Sequence, residues 1–136
     1  MASVRLEVET TAREQLLDIT ERVRQVVASS GVASGLCLVS SLHTTAGVTV
    51  NENADPDVGH DFLLALRNAV PERASQGRYR HGEGNSDAHV KTSLVGPSQL
   101  IPVEAGSMAL GTWQGVFLCE FDGPRRRTVL VKVFAG

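Results

Sequence analysis

The sequence lacks the residue patterns behind several common kinds of functional site. It has two cysteines and no CxxC pair, so neither a redox-active dithiol nor a cysteine zinc site is indicated. It also has no Walker loop and no GxGxxG stretch, the glycine-rich patterns that hold nucleotide phosphates. Cys37 and Cys119 lie in apolar stretches, where a thiol is usually a small buried hydrophobe.

A charge surplus and long apolar runs are absent as well. The formal net charge of -2 and the pI near 6.1 give no electrostatic reason to expect nucleic acid or an anionic membrane as a partner, since such binders carry a basic surplus. No run approaches the roughly 20 apolar residues of a membrane span, and the N-terminus lacks the apolar stretch of a signal peptide. We therefore expect a soluble, cytoplasmic protein with no nucleic-acid or membrane partner.

The chain has enough apolar side chains for one core and the periodicity of two helices. Hydrophobic residues make up 42% of its 136 residues, which suits a single domain over residues 1–136. The first predicted helix follows Asp18, a possible cap, and ends at Gly31. The second begins near Pro56 and ends before Pro71.

Most of the other apolar segments predict strands. Residues 72–85 form a polar loop, and residues 90–95 are a short apolar piece of unassigned structure. Strands dominate the ends of the chain and helices its middle, which predicts an α+β fold. The predicted strands are residues 4–9, 35–42, 47–51, 100–103, 107–110, 116–121 and 128–134.

The densest chemistry follows the polar loop. His81, Glu83, Asn85, Asp87 and His89 are separated only by glycine and small residues, and half of the chain's 4 histidines lie here. Imidazoles are the usual neutral-pH ligands of zinc-like metals. The two histidines do not have the i,i+4 spacing of a helical zinc pair, so a further ligand would have to come from another part of the fold.

Six motifs, taken together and in order, resemble the YjbQ family. The similarity extends from about residue 7 to residue 133. The resemblance implies an α+β sandwich of largely antiparallel strands with two main helices, which assembles as a homotrimer and has a histidine-lined metal site. The motifs are HTTA at 43–46, NENADPD at 51–57, YRH at 79–81, NSDAHVK at 85–91, GTWQ at 111–114 and EFDGPR at 120–125.

The resemblance also implies an activity. Family members are often described as secondary thiamine-phosphate synthases, which join hydroxymethylpyrimidine diphosphate to thiazole phosphate and release diphosphate. The usual enzyme for this reaction is a TIM barrel of roughly 200 residues or more, so this chain would use another scaffold. Mg²⁺ ordinarily assists the loss of diphosphate, whereas three histidines suit zinc. The expected ligands and the implied activity therefore disagree.

The metal ligands expected from the resemblance are His43, His81 and His89. They would hold a divalent ion, zinc by their chemistry or Mg²⁺ if the synthase reaction is real. Three imidazoles leave a fourth position for a water molecule, whose pKa zinc can lower to about 7. Asp87 and Glu83 are candidates for orienting an imidazole or transferring a proton. Asp87 and His89 would share a face if this stretch is extended.

Other residues are expected to bind a small anionic or phosphorylated substrate. Arg125 can grip a phosphate in bidentate fashion, whereas Arg126 and Arg127 are expected in a solvated hairpin. Trp113 suits either a pocket wall or an anchor of the core or of a subunit contact. The substrate-binding candidates are Glu52, Asn53, Asn85, Trp113, Gln114 and Arg125.

Two alternatives to the synthase stay open from the sequence. A zinc-dependent hydrolase of a small phosphorylated substrate would need zinc rather than Mg²⁺ and would form no carbon–nitrogen bond. A non-catalytic ligand-binding trimer would use the histidines to hold a structural metal between subunits. His60 is expected to be a surface residue of the second helix and is left out of the site.

Overall fold

A computed structural model describes residues 3–136 of the chain. Its helices alternate with strands near the middle of the chain, and strands occupy both ends, so the α+β prediction is confirmed. In chain order the elements are β1 (Ser3–Glu9), β2 (Gln15–Asp18), α1 (Thr20–Ser30), β3 (Gly35–Ser41), β4 (Ala46–Glu52), α2 (Pro56–Ala69), α3 (Ser86–Val95), β5 (Ser98–Glu104), β6 (Ser107–Met108), β7 (Gln114–Glu120) and β8 (Arg126–Ala135).

The strands form two antiparallel sheets with a shared core. The larger sheet has the order β1-β8-β3-β5-β6, and the smaller one has the order β2-β7-β4. In the larger sheet, β1, β3, β5 and β8 turn alternate side chains inward, as expected for a sheet with one buried face. Along β8 the inward residues are Arg127, Val129, Val131 and Val133. The core joins the inner faces of both sheets to α1 through Val23.

The two predicted helices are present, and their predicted ends are close to the observed ones. Asp18 lies one residue before the N-cap of α1, but its carboxylate accepts a hydrogen bond from the Thr20 amide at 2.9 Å. Gly31 ends α1 with a φ of 71°, a left-handed conformation that glycine adopts without strain. In α2, the Asp55 side chain accepts a hydrogen bond from the Asp57 amide.

The third helix, α3, was not predicted, so the expectation of two main helices is incomplete. Its buried residues are Asp87, Ala88, Lys91 and Thr92, which are mostly polar, and so the sequence shows no apolar stripe. Because successive residues of a helix are about 100° apart, Asp87 and His89 point to different sides. The expectation that an extended stretch places them on one face is wrong.

A close contact between backbones fixes α3 against the smaller sheet. The carbonyl of Gly96, directly after α3, accepts a hydrogen bond from the Val48 amide at 3.0 Å. A Cβ atom on Gly47 would lie 2.7 Å from that carbonyl oxygen, so the approach requires glycine at this position. The contact holds α3 beside the turn that carries His43.

Both cysteines are buried and free, as predicted. Burial raises the pKa of Cys37 to about 11 and the pKa of Cys119 to about 12. Within residues 3–136, none of the helices is both long enough and apolar enough to cross a membrane.

Candidate functional site

A cleft of about 340 Å³ lies where the turn after β3, the start of α3 and the loop after β7 meet. We call it the polar cleft. Five of the expected site residues line it, namely His43, Glu83, Asn85, His89 and Arg125. Residues more than 80 positions apart along the chain are thus brought to one place by the packing of α3 on the smaller sheet.

Asn85 forms part of the floor of the polar cleft. It is only 5% exposed, and its amide Nδ2 donates to Asp122 Oδ2 at 2.8 Å and to Glu83 Oε2 at 3.4 Å. The two carboxylates fix the orientation of the amide, because only its nitrogen can donate. Oδ1 is buried and has no hydrogen-bond partner in the part of the chain that the structure describes. An unpaired buried acceptor costs about 1–3 kcal/mol, so Asn85, which lines the cleft, has an unmet demand for a donor.

Arg127 is a wall residue that the sequence reasoning missed. The residue is 3% exposed, and its guanidinium donates to both carboxylate oxygens of Glu120 and to Thr45 Oγ1. The expectation of a solvated Arg127 is wrong, because the alternation along β8 turns this position inward. The same alternation leaves Arg126 exposed, where it pairs with Glu9.

Arg125 lies at the rim of the polar cleft, with about half of its side chain exposed. It donates through Nε to the Asp122 carbonyl at 2.8 Å and through Nη2 to Asp122 Oδ2 at 2.9 Å. Burial raises the pKa of Asp122, but hydrogen bonds from Asn85 and Arg125 and the positive charge of Arg125 outweigh it, so the net pKa is lowered. Asp122 is therefore an ionised anchor for both neighbours at neutral pH.

His43 is a neutral hydrogen-bonding residue of the cleft. Its Nε2 accepts a hydrogen bond from the Thr128 amide at 2.8 Å, which places the ring proton on Nδ1. Burial lowers the pKa of His43, and the positive charge of Arg127 lowers it further, against a smaller opposite effect of Glu120. Nδ1–H is consequently a donor, and Nε2 is already engaged.

The three expected metal ligands do not form a metal centre. The rings of His81 and His89 lie edge to face, but Nε2 of His43 already accepts a hydrogen bond from the Thr128 amide. Residues 3–136 contain no group of three or more His, Cys, Asp or Glu side chains that could hold a metal ion. This absence contradicts the prediction of a functional three-histidine metal site.

Asp87 lies outside the wall of the polar cleft, in a buried group of charges. Only 1% of the residue is exposed, and its carboxylate pairs with Lys91 Nζ at 2.8 Å and with Arg13 Nη2 at 3.1 Å. Lys91 pairs in addition with Glu14 at 2.9 Å. Buried charges persist in a fold only when they are paired in this way. These contacts explain the burial of Asp87, and its expected catalytic role stays a prediction.

Two of the expected substrate-binding residues line a different cavity. Glu52 and Asn53 border a space of about 450 Å³ beside α2, together with His60. Asn53 Nδ2 donates to Asp18 Oδ2 at 3.3 Å, a contact between the loop after β4 and the end of β2. The structure therefore separates Glu52 and Asn53 from the residues of the polar cleft.

Of the other two candidates, Trp113 ends the turn before β7, and Gln114 is the first residue of β7. Trp113 is 62% exposed, so it does not anchor the core of the single chain. Gln114 Oε1 accepts a hydrogen bond from the Gly111 amide at 2.8 Å and so stabilises the turn before β7. Neither residue lines the polar cleft.

Relatives of the chain extend over almost its full length. A UPF0047 protein of Methanocaldococcus jannaschii is 48% identical over 127 residues, which is 93% of this chain and 90% of the relative. The UPF0047 protein YugU of Bacillus subtilis is 48% identical over 94% of this chain and 96% of its own length.

Solved structures give the same picture. A crystal structure from Clostridium acetobutylicum is 49% identical with a TM-score of 0.91, covers 96% of this chain and 99% of its own, and is described as an uncharacterized conserved protein of the yjbq/upf0047 family. A YbjQ-like protein of unknown function from Sulfolobus solfataricus is 31% identical with a TM-score of 0.93, covering 99% and 97% of the two chains.

These findings correct the functional expectation. The solved structures are described as uncharacterized or of unknown function, and the names of the relatives state no activity, so neither supports thiamine-phosphate synthesis. The described residues also lack a group that could hold the expected metal, which removes the basis of the zinc-dependent hydrolase and of a trimer held by a histidine-bound metal. The prediction of a metal-dependent synthase is wrong on this evidence.

The family resemblance itself is confirmed. The family model described as UPF0047 protein YjbQ-like matches residues 4–136. The identities of the relatives and the match of their folds agree with it. The chain belongs to the YjbQ (UPF0047) family.

Proposed function

We propose that the polar cleft binds a small molecule that carries a phosphate or another anionic group. The observation that supports this most is the buried, unpaired Oδ1 of Asn85 in the same cleft as the exposed guanidinium of Arg125. A volume of about 340 Å³ is at the lower end of the roughly 300–1,000 Å³ found for small-molecule sites.

The anionic group would meet the donors of the cleft. The contacts of Arg125 within residues 3–136 use Nε and Nη2, so its Nη1 is available to an incoming oxygen. His43 contributes its Nδ1–H, while the guanidinium of Arg127 in the same wall is already paired with Glu120. Charge-assisted bonds from guanidinium to phosphate or carboxylate are roughly twice as strong as neutral hydrogen bonds.

The same cleft also offers hydrogen-bond acceptors. Glu83 and Asp122 are acidic, and Asn85 Oδ1 is an unused acceptor. The two arginines and two carboxylates of the wall leave little net positive charge, so a bare anion gains little from long-range attraction. The ligand that fits has a hydroxyl or amine donor close to its anionic group.

The test compares two neighbouring arginines by isothermal titration calorimetry. Inorganic phosphate and glycerol 3-phosphate are titrated into the wild type, Arg125→Gln and the matched control Arg126→Gln. One charged hydrogen bond contributes about 1.5–3 kcal/mol, so Arg125→Gln should weaken binding roughly 10- to 100-fold. Arg126→Gln should bind like the wild type, because Arg126 points away from the cleft.

The proposal fails if neither compound binds the wild type at millimolar concentration. It also fails if the two variants bind equally well. In that case the attraction comes from the general surface charge of the hairpin and not from the cleft.

We also propose that the chain assembles as a homotrimer, as the family resemblance implied. The outer face of the larger sheet supports association between copies, because it exposes Leu36 at 41% and Leu100 at 57%. Light scattering after size exclusion should give three times the chain mass of 14.5 kDa, and Leu100→Lys should lower it. A monomeric wild type would contradict the proposal. A divalent cofactor and a cytoplasmic location stay predictions.

A further inference from the structure

A second cavity adjoins the polar cleft. It has a volume of about 300 Å³ and is lined by His43, Thr44, His89, Thr92, Ser93 and Pro97. The first three of these residues also line the polar cleft. The imidazoles of His43 and His89 therefore lie between the two cavities. We call the second cavity the threonine pocket.

Thr92, which lines the threonine pocket, has an unmet hydrogen-bonding demand of its own. The residue is 4% exposed, and its Oγ1 has no partner within residues 3–136. A threonine inside a helix commonly bonds a carbonyl of the preceding turn, and Thr92 does not. Within residues 3–136, the buried side-chain atoms without a hydrogen-bond partner are Asn85 Oδ1 and Thr92 Oγ1. Their residues line two adjoining cavities.

The walls of the two cavities differ in charge. The polar cleft has Arg125, Arg127, Glu83 and Asp122, whereas the threonine pocket has hydroxyl groups, a proline ring and the two imidazoles that it shares. A wall of this kind favours an uncharged group with one hydroxyl or amine, because burying a charge there would leave it without a partner.

We infer that the threonine pocket binds the uncharged part of the same ligand whose anionic group lies in the polar cleft. The inference rests on the proposed function of the polar cleft. It makes the ligand an elongated phosphate ester or similar anion with an uncharged, hydroxyl-bearing portion, positioned across His43 and His89. Each cavity alone is near the lower limit for a ligand site, and the two together reach the middle of the usual range.

The experiment measures how much an uncharged tail adds to phosphate binding. Inorganic phosphate, glycerol 3-phosphate and ribose 5-phosphate are titrated calorimetrically into the wild type, Thr92→Val, Thr92→Met and Arg125→Gln. Thr92→Val keeps the shape of the side chain and removes the hydroxyl, while Thr92→Met fills the pocket. Thr112→Met, in an exposed turn, is the control for the substitution itself.

In the wild type, the better of the two esters should bind at least about tenfold more tightly than inorganic phosphate. Thr92→Met should bring this ratio close to one and leave the affinity for inorganic phosphate unchanged. Thr92→Val should reduce the ratio about three- to tenfold, the value of one hydrogen bond. Thr112→Met should retain the wild-type ratio.

The inference is overturned if the wild-type ratio stays below about three, or if Thr92→Met leaves it unchanged while Arg125→Gln weakens all three compounds. Those results would leave the polar cleft as the whole site. Failure of every compound to bind, or equal binding by Arg125→Gln, would instead refute the proposed function on which the inference rests.

Discussion

The helices α2 and α3 differ in how their sequence pattern relates to their burial. Pro56–Ala69 shows apolar residues at helical spacing and was predicted, yet none of its residues is fully buried. Ser86–Val95 shows no apolar face and was not predicted as a helix, yet four of its residues are buried. The apolar stripe of α2 is typical of a helix that packs on a core. The buried polar residues of α3 break that pattern, and α3 is the helix beside the candidate site.

Charge pairing explains how α3 tolerates this burial. Lys91, which is 1% exposed, contacts Asp87 and Glu14, so its ammonium group is neutralised from two sides. Glu14 also contacts Arg67 of α2 at 3.3 Å. One carboxylate therefore joins a buried cation of α3 and an exposed cation of α2, which gives a direct way to compare the two helices.

The largest expected effect is the loss of stability on replacing Lys91, compared with replacing Arg67. Lys91→Met leaves Asp87 buried with only Arg13 as a partner, and loss of one member of a buried pair costs about 3–5 kcal/mol. Arg67→Met removes a half-exposed partner of the same Glu14 and should cost less than about 1 kcal/mol. The free energy of unfolding from urea titrations, followed by circular dichroism, measures both changes.

Equal destabilisation by the two variants would contradict this comparison. A small effect of Lys91→Met alone would mean that water or a rearranged Arg13 compensates Asp87, and that α3 is not held by its charges. The double variant Lys91→Met/Asp87→Leu serves as a control. It should recover part of the lost stability, because no unpaired charge then stays buried.

The elements that the sequence predicted well are those with a regular pattern. The strand predicted at residues 128–134 coincides with β8, and the second helix was expected to begin near Pro56, where it does, because alternation and capping are local properties. Gln15–Asp18, β2, was missed. It pairs with β7, and a four-residue segment carries too little pattern to show such a partner.

The residues of the candidate site were predicted less evenly. His43, His89, Asn85 and Arg125 were identified because motifs and imidazoles stand out in a sequence. Arg127 was missed, since three consecutive arginines suggest a solvated hairpin. The spacing to Val129, Val131 and Val133 already placed Arg127 on the inward face of β8, and this alternation was the signal that could have found it.

The second expected effect concerns pH and compares His43 of the polar cleft with His60 of α2. The pKa of His43 is lowered in the fold, chiefly by burial, so the unfolded chain takes up a proton at a higher pH than the folded one. Stability should therefore fall as the pH drops below the ordinary histidine pKa of 6.5, until the lowered pKa of the folded state is reached.

Unfolding free energies between pH 7.5 and about 5 test this linkage. His43→Gln keeps an acceptor for the Thr128 amide and does not titrate, so its stability should vary less with pH than that of the wild type. His60→Gln, at an exposed position of α2, is the matched control for a histidine-to-glutamine substitution. A slope that is unchanged in His43→Gln would show that other groups carry the pH dependence.

The smallest effect is a difference in reactivity between two buried thiols. Cys37 lies in the core between the sheets, and Cys119 lies in the cluster beneath α2 and α3. The pKa of Cys37 rises from 9.0 to about 11, which lowers its thiolate fraction about a hundredfold at pH 8. The pKa of Cys119 is raised further, to about 12. Both should therefore react very slowly with iodoacetamide in the native protein.

Local opening should decide which thiol reacts first. Because α2 has no fully buried residue, it can detach at a lower free energy than the strands of the main core, and this would expose Cys119 but not Cys37. Mass spectrometry of the single-cysteine variants Cys37→Ala and Cys119→Ala should then show faster alkylation of Cys119, although its higher pKa alone predicts the reverse order. Equal alkylation rates that match the rate of global unfolding would mean that α2 opens only when the whole fold opens. The two helices would then differ in sequence pattern and not in local stability.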